Sequence, residues 1–312
     1  MVNALSKKLG LLEKGEDPTC FLWDTVCSPN IKKILGTKFK FMVSGAAPLD
    51  PILARNITAF FCCPLIDAYG LTESTGAAFA SSMNQINSGS GPGYNVEFKI
   101  LSENLLGYAV TDKNPRGELM LRGPTITMGY FKNLEENKNA FEKDGWLHTG
   151  DIVELNKELG TIKIIDRKKN IFKLASGEYI SPVKIEKVYS NCNPICEIAV
   201  LAESGNEFLV GIVSVKAEWA ENKLRENESL QDFVERSETK NLIVSEMKDI
   251  AKKEKLFPYE EVKRIIVLSE SFMTKGFTTN TFKLKRNELK RFYDFSEENS
   301  NSSKSSVRRS YL

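Results

Sequence analysis

The stretch "IIDRKKNIFKLASGEYISP", residues 164–182, gathers Arg167, Lys168, Lys169 and Lys173 around a short apolar run, with Lys184 just beyond. Such a cluster stands out in a chain of 312 residues whose 43 Lys and Arg nearly balance 41 Asp and Glu, for a formal net charge of +2. One reading is a strand ending in a solvated turn. The other is a boundary between two domains, because the texture of the sequence differs on its two sides.

Upstream, "YNVEFKIL" (94–101), "GELMLRG" (117–123) and "GTIKIID" (160–166) are short apolar runs separated by Gly, Pro and Asn. They predict a small antiparallel barrel or sheet. Downstream, a helix is expected to start at Ser181-Pro182, with serine as cap and proline in the first turn. Strands are expected at "EIAVLA" (197–202), "LVGIVSVK" (209–216) and "RIIVLS" (264–269). A helix over roughly 229–254 would place Ile243, Met247 and Ile250 on one face. That is a compact α+β unit. The tail "SEENSNSSKSSVRRSYL" (296–312) has no apolar period and is expected to be disordered.

Further upstream, "KFKFMVSGAAPLDP" (38–51) reads as a strand stopping at Gly45, a loop, and a helix from about Asp50 with Pro51 in its first turn. "PLIDAYGLTES" (64–74) repeats the apolar run and glycine turn. Two such transitions fit an α/β sheet, whose ligands sit beyond the strand carboxyl ends.

Composition excludes several classes. The chain is 41% hydrophobic and 27% charged, ordinary values for a globular protein. Near-neutral charge gives no reason to expect nucleic acid as a partner. No apolar run approaches the roughly 20 residues of a membrane span. Six cysteines without a paired spacing and a single histidine argue for a reduced, intracellular chain without a zinc site. One histidine also leaves no place for Ser-His-Asp or Cys-His catalysis. "GSGPGYN" (89–95) fails as a phosphate loop: Pro92 has no N–H and a strand follows, so a turn is expected.

The remaining candidates lie at loop ends. Gly45, Ala46 and Ala47 lack bulk, so a planar ring could approach their backbone; tight helix–strand packing would explain them equally well. In "DAYGLTES", Tyr69 offers a stacking face, Gly70 frees the backbone, Thr72 supplies a hydroxyl, and Glu73 supplies an oxygen of the kind Mg²⁺ prefers. Asp151, in "DGWLHTGDI" (144–152), follows a Thr-Gly turn and could accept both hydroxyls of a ribose. His148 in the same segment reads as a packed residue. "TTNTFKLKRNELKRF" (278–292) sets Lys283, Lys285 and Arg286 at a helix start, where the macrodipole repels cations, so an anion is expected to offset them.

In this order, "SGAAPL", "YGLTES", "GPGYNVEFKI", "DGWLHTGDI", "IIDRKKNIFKLASGEYISPVKIE" and "TFKLKR" resemble the C-terminal half of a long-chain acyl-CoA synthetase of the adenylate-forming superfamily. The resemblance covers roughly residues 20–293. It implies an α/β fold in which part of an α/β subdomain (to about 93) joins a small β-barrel-like subdomain (94–165). A hinge at 166–169 would lead to a small α+β C-terminal domain at 170–295. The activity implied is ATP-dependent formation of an acyl-adenylate from a fatty acid, then thioester formation with coenzyme A.

The roles implied are specific. Tyr69 would lie against adenine, with Gly45, Ala46 and Ala47 on its other side and Asp67 and Gly70 lining the same nucleotide site. Thr72 would touch the α-phosphate, Glu73 would hold Mg²⁺, and Asp151 would bind the ribose. Arg167 would reach ribose and phosphate, and Lys169 would be the pivot. Lys173, Ser176, Gly177 and Glu178 would lie on the small-domain face used for thioester formation. Lys283 would be the adenylation lysine, although Phe282 replaces a small residue of that pattern and leaves Lys285 as the alternative. Nothing in residues 1–40 resembles the family's phosphate loop, so the chain is expected to be an incomplete copy with little ligase activity of its own. The resemblance also implies peripheral attachment to the endoplasmic reticulum membrane through upstream sequence. The alternative is a non-catalytic nucleotide- or CoA-binding remnant, or a partner of an intact synthetase.

Overall fold

Helix α1 (Val2–Glu13) precedes a parallel crossover made of strand β1 (Met42–Gly45), helix α2 (Pro51–Phe61) and strand β2 (Leu65–Leu71). The computed structural model describes residues 2–14, 16, 20, 24–25, 29, 33, 36, 38–47, 49–82, 89–202, 208–280 and 283–292. The chain forms two compact units that divide between Lys168 and Lys169.

In the first unit, α2 starts where its local chemistry dictates. The Asp50 carboxylate accepts the N–H groups of Ile52 and Leu53, both at 2.9 Å, and Pro51 occupies the first turn where no N–H is needed. Cys62, left-handed at φ 50°, ends the helix. Strands β3 (Gly76–Ala80) and β4 (Gly91–Pro92) extend the sheet in the order β1-β2-β3-β4, antiparallel after β2. "GSGPGYN" is therefore a two-residue strand followed by a turn at Tyr94-Asn95.

The second sheet of this unit runs through β5 (Glu97–Leu101), β6 (Arg116–Arg122), helix α3 (Leu134–Ala140), β7 (Leu147–Asn156) and β8 (Thr161–Arg167). Its strands pair in sequence order, all antiparallel. It is an open four-stranded meander rather than the barrel-like form, because no pairing joins β5 to β8 among the described residues. Ala78 and Phe79 from β3 share one core with Leu119, Leu121, Val153 and Ile162 from this meander. That core holds the first sheet against the second and fixes Tyr69, which packs on it, relative to β7 and β8.

The second unit opens with a hairpin of β9 (Phe172–Lys173) and β10 (Tyr179–Ile180). Helix α4 (Pro182–Tyr189) follows, and the Ser181 hydroxyl accepts the Lys184 N–H at 3.4 Å, with Pro182 in the first turn. Strands β11 (Ile195–Ala202), β12 (Leu209–Val215) and β13 (Val262–Leu268) form a sheet in that order; β12 is antiparallel to β11 and parallel to β13. Every residue of β12 is buried, as a central strand covered on both faces requires. Leu209, Val213 and Val215 face one core with Ile185, Tyr189, Ile243 and Met247, whereas Val210 and Ile212 face another with Phe272, Phe277 and Leu289.

Three α-helices lie between β12 and β13: α5 (Ala217–Glu221), α6 (Leu230–Glu235) and the longer α7 (Ser237–Lys253). The single helix expected over 229–254 is thus two. Arg236 adopts an extended conformation, φ −59° and ψ 135°, and its guanidinium pairs with Glu228 instead of following the helix axis. The buried face of α7 is Thr239, Ile243, Met247 and Ala251, a strict four-residue spacing that leaves Ile250 half-buried. A further helical stretch covers 286–292. The expected disordered tail at 296–312, and Phe282, lie outside the described residues.

Candidate active site

At the carboxyl end of β1, Gly45 pairs in register with Ala68 of β2, and a Cβ at Gly45 would stand 2.7 Å from the Ala68 carbonyl oxygen. Ala46 follows with φ 70°, and Gly45, Ala46 and Ala47 are all exposed. The small side chains thus answer to strand packing at Gly45, while the next two residues leave an open backbone edge beside β2. Asp67 sits on that strand opposite Ser44; its N–H donates to Ser81 Oγ at 2.9 Å and its carbonyl accepts the Ser81 N–H at 2.7 Å.

Gly70 is fixed by its neighbour. The register shifts between Tyr69 and Gly70, and a Cβ there would lie 1.8 Å from the Gly76 carbonyl oxygen. The glycine of "AYGLT" is needed because β3 passes too close for any side chain.

Three predicted residues converge across the two sheets. The Tyr69 hydroxyl donates to Asp151 Oδ2 at 2.6 Å, and Arg167 Nε lies 3.2 Å from Asp151 Oδ1. Asp151 and Arg167 are register partners on β7 and β8, so the antiparallel pairing itself places them together. The Asp151 N–H donates to Thr149 Oγ1 at 3.1 Å, and Gly150 turns the strand at φ 68°. Asp151 is 3% exposed. Burial pushes its carboxyl above the usual carboxylate range, even though the Tyr69 hydroxyl and Arg167 favour the charged form. Burial and the adjacent Asp151 charge likewise push the Tyr69 hydroxyl far up, so it stays a donor. Its ring meets Phe79 edge-on with centroids 6.1 Å apart.

Thr72 and Glu73 lie on a single 3₁₀ turn, Thr72–Ser74, directly after β2. Thr72 is exposed. The Tyr130 hydroxyl donates to Glu73 Oε1 at 2.5 Å, and this bond to the carboxylate raises the Tyr130 hydroxyl to about 12. The Glu73 carbonyl accepts the Thr127 N–H at 2.8 Å, which ties the turn to the loop before α3. Sequence reading did not find Tyr130, 57 positions away, because nothing local marks it as a partner. Among the described residues no three His, Cys, Asp or Glu side chains cluster to hold a metal ion. A lone carboxylate with one oxygen already bonded suits a cation that brings most of its ligands on a phosphate, which is how Mg²⁺ is commonly bound.

Lys168 has a role that its charge alone did not reveal. Its ammonium pairs with Glu103 and, at 3.2 Å, with Glu118, while its N–H donates to the Gly150 carbonyl at 2.8 Å. Burial works against ionisation of Glu118, yet Lys168, then His148 and the Gly150 N–H, outweigh it and hold the carboxyl below its usual range. His148 Nδ1 lies 3.4 Å from Glu118 Oε1 and its Nε2 3.3 Å from Glu142 Oε1, with its side chain 26% exposed.

In the second unit, Lys169 is exposed and Lys173 lays its ammonium 5.2 Å from the Tyr179 ring centroid. Ser176, Gly177 and Glu178 form the turn of the β9–β10 hairpin: the Gly177 N–H donates to the Leu174 carbonyl at 3.0 Å, with Gly177 at φ 104°. A hydrogen bond from Ser176 draws the Glu178 carboxyl below its usual value. The anion expected at the basic helix start is internal. Arg286 makes a two-pronged pair with Glu186, 2.8 and 2.7 Å, and Glu186 also accepts the Val200 N–H at 2.8 Å. Lys285 Nζ donates to the Gly276 carbonyl at 3.2 Å. Lys283 is exposed, and among the described residues its backbone pairs with Thr279.

The sheets that bring Tyr69, Asp151 and Arg167 together have the fold of an adenylation domain. The adenylation domain of a carboxylate reductase from Mycobacterium chelonae superposes with a TM-score of 0.72 at 27% identity, over 96% of this chain and 44% of that one. The corresponding domain from Segniliparus rugosus, solved with AMP and a carboxylic acid, gives 0.71 at 26% identity, over 97% and 45%.

Residues 12–131 match the AMP-binding enzyme family. Its curated relatives are long-chain acyl-CoA synthetases. It is 37% identical to the peroxisomal long chain acyl-CoA synthetase 7 of Arabidopsis thaliana, over 92% of this chain and 42% of that protein. It is 38% identical to fatty acyl-CoA synthetase A of Dictyostelium discoideum, over 93% and 44%. The chain therefore spans less than half the length of the relatives it matches. Among the described residues no helix is long and apolar enough to cross a membrane.

Proposed function

We propose that this chain carries the nucleotide-binding and thioester-forming part of a long-chain fatty acid–CoA ligase. The observation that carries the reading is the Tyr69–Asp151–Arg167 set, in which a buried carboxylate has each oxygen engaged by a group that could share it with a ribose. Asp151 would accept the two ribose hydroxyls, and the Tyr69 ring and the Gly45–Ala47 edge would flank the adenine. Asp67 and Gly70 would contribute through their backbone. Arg167, 58% exposed at its side chain, is free to turn from the carboxylate toward a phosphate. Thr72 would donate to the α-phosphate. Mg²⁺ carried by the nucleotide and met by Glu73 would neutralise charge on the phosphates.

In the first step a fatty-acid carboxylate oxygen attacks the α-phosphorus and pyrophosphate leaves. An ammonium placed there stabilises the charge that develops. Lys283 suits that role better than Lys285, whose ammonium already serves the Gly276 carbonyl. In the second step the coenzyme A thiol attacks the acyl carbonyl and AMP leaves. Lys173, Ser176, Gly177 and Glu178 would border that attack, with Lys169 as the pivot between the steps.

The test is calorimetric titration of the chain with AMP, followed by thioester formation from supplied palmitoyl-adenylate and coenzyme A. Binding is expected, and Asp151→Ala should weaken it at least about tenfold, or 1.4 kcal/mol. A folded chain that binds no AMP and forms no thioester would overturn the reading.

A further inference from the structure

A buried ion pair lies directly behind Asp151, at an irregularity in the sheet. On β6, Glu118 stands opposite Ile152 of β7, and Met120 stands opposite His148. Thr149, Gly150 and Asp151 therefore bulge past Leu119 alone, and the register shifts there. A bulge re-aims side chains, but it also leaves backbone groups without ladder partners. Side chains supply the partners here. Glu118 Oε1 accepts the Gly150 N–H at 3.2 Å. The Thr149 hydroxyl donates to the Leu119 carbonyl at 2.7 Å and accepts the Asp151 N–H at 3.1 Å.

On the β8 side of the bulge, the Gly150 carbonyl accepts the Lys168 N–H at 2.8 Å. The Lys168 ammonium reaches back to Glu118 Oε2 at 3.2 Å and also pairs with Glu103. Glu118 and Lys168 thus hold the peptide on each side of Gly150, the residue directly before Asp151. Glu118 is 3% exposed. Burying a carboxylate to satisfy one N–H is costly, and a neutral acceptor would do the same without desolvating a charge. The charged pair adds a connection between β6 and β8 that closes around the bulge.

We propose that Glu118 and Lys168 are positioning residues for nucleotide recognition, clamping the bulge at Gly150 so that the Asp151 carboxylate faces the ribose hydroxyls. The proposal rests on the ribose role given to Asp151 above. Neither residue touches the nucleotide. Their effect falls on the direction of the hydrogen bonds that Asp151 accepts, and such bonds weaken steeply when misaligned. Contacts to adenine and phosphate come from other elements and stay in place. The clamp therefore sets the preference for ribose over deoxyribose rather than binding as a whole.

The test is calorimetric titration of the intact 312-residue chain with AMP and with 2′-deoxy-AMP. The native chain is expected to bind AMP at least about tenfold more tightly, since the deoxy nucleotide lacks a hydrogen bond to a charged acceptor. Glu118→Leu combined with Lys168→Met replaces the pair by apolar side chains, a change that buried ion pairs commonly tolerate. It should reduce the preference to about threefold or less, with 2′-deoxy-AMP affinity changed by no more than about twofold. Glu118→Gln puts an amide N–H₂ where one carboxylate oxygen was, so either Gly150 or Lys168 faces a donor. It should lower the preference as well, and it carries the test if the double variant does not fold. An unchanged preference in either folded variant would overturn the proposal. So would equal weakening of both nucleotides, which is what a purely structural role produces. A native chain that binds no AMP, or binds the two nucleotides equally, would overturn the ribose reading of Asp151 and this inference with it.

Discussion

Asp151 illustrates how a residue can oppose the fold that holds it. Its folded value lies above the ordinary 3.8, chiefly through burial. A carboxyl raised in this way favours folding only while it is protonated, and that contribution is lost as pH rises through the raised value. At neutral pH the charged form is therefore a cost to the empty chain, which ribose hydroxyls would reduce by donating to it. Asp151→Asn keeps the shape and removes the charge. It should raise the melting temperature by about 2–4 °C, the response to about 1 kcal/mol in a chain of this size. The same variant should lose AMP affinity in calorimetry. A lower melting temperature would mean that the Arg167 pair, not burial, dominates at this position.

At the scale of elements, the Arg286–Glu186 pair fastens the 286–292 helical stretch to α4 and, through the Val200 N–H, to β11. Both side chains are mostly buried, at 19% and 11% exposure. Removing one partner strands the other, so Arg286→Ala should cost about 3 kcal/mol in urea unfolding. The double change Arg286→Met with Glu186→Gln should recover much of that loss. If Arg286→Ala leaves the midpoint unchanged, the stretch is held by Leu289 and its apolar neighbours alone.

This pair also marks the limit of reading elements from sequence. The start of α2 at Asp50-Pro51 and of α4 at Ser181-Pro182 was legible because capping is a matter of three or four adjacent residues. The strands were legible because β-branched runs bounded by glycine are local too. The partner of Arg286 stands 100 positions away, and those of Lys168 stand 50 and 65 away. Nothing in a window reveals them. The break at Arg236 was hidden for another reason: residues 235–241 contain no Gly or Pro to mark an end, and only the backbone dihedrals show the interruption. At the candidate site, Tyr69, Asp151 and Arg167 were recognised one by one. Their convergence depends on the register of β7 with β8 and on the core that the two sheets share.

For the whole molecule, the division between Lys168 and Lys169 falls inside the cationic stretch. Lys168 is pinned by two carboxylates and by the Gly150 carbonyl. Lys169, the next residue, is exposed. If the peptide at 169 is the pivot of a two-step ligase, proline there should restrict it, since proline locks φ near −65°. Lys169→Pro should leave AMP affinity within about twofold. Thioester formation from supplied acyl-adenylate should fall about a hundredfold, near 2.7 kcal/mol of barrier. Equal decline of both, with a lowered melting temperature, would make the segment an ordinary surface turn.

The contact at Gly70 bears on how tolerance to substitution would be partitioned in this protein. A library selected only for solubility and resistance to proteolysis should preserve Gly70 as strictly as any position, since no side chain fits beside the Gly76 carbonyl. The same selection should let Asp151 drift toward neutral residues, and Lys283 toward almost anything. A second selection for nucleotide binding would restore Asp151 and leave the constraint on Gly70 unchanged. Two neighbours in one recognisable motif would thus carry separable kinds of information: Gly70 reports on the backbone, and Tyr69, held to Asp151, on the ligand.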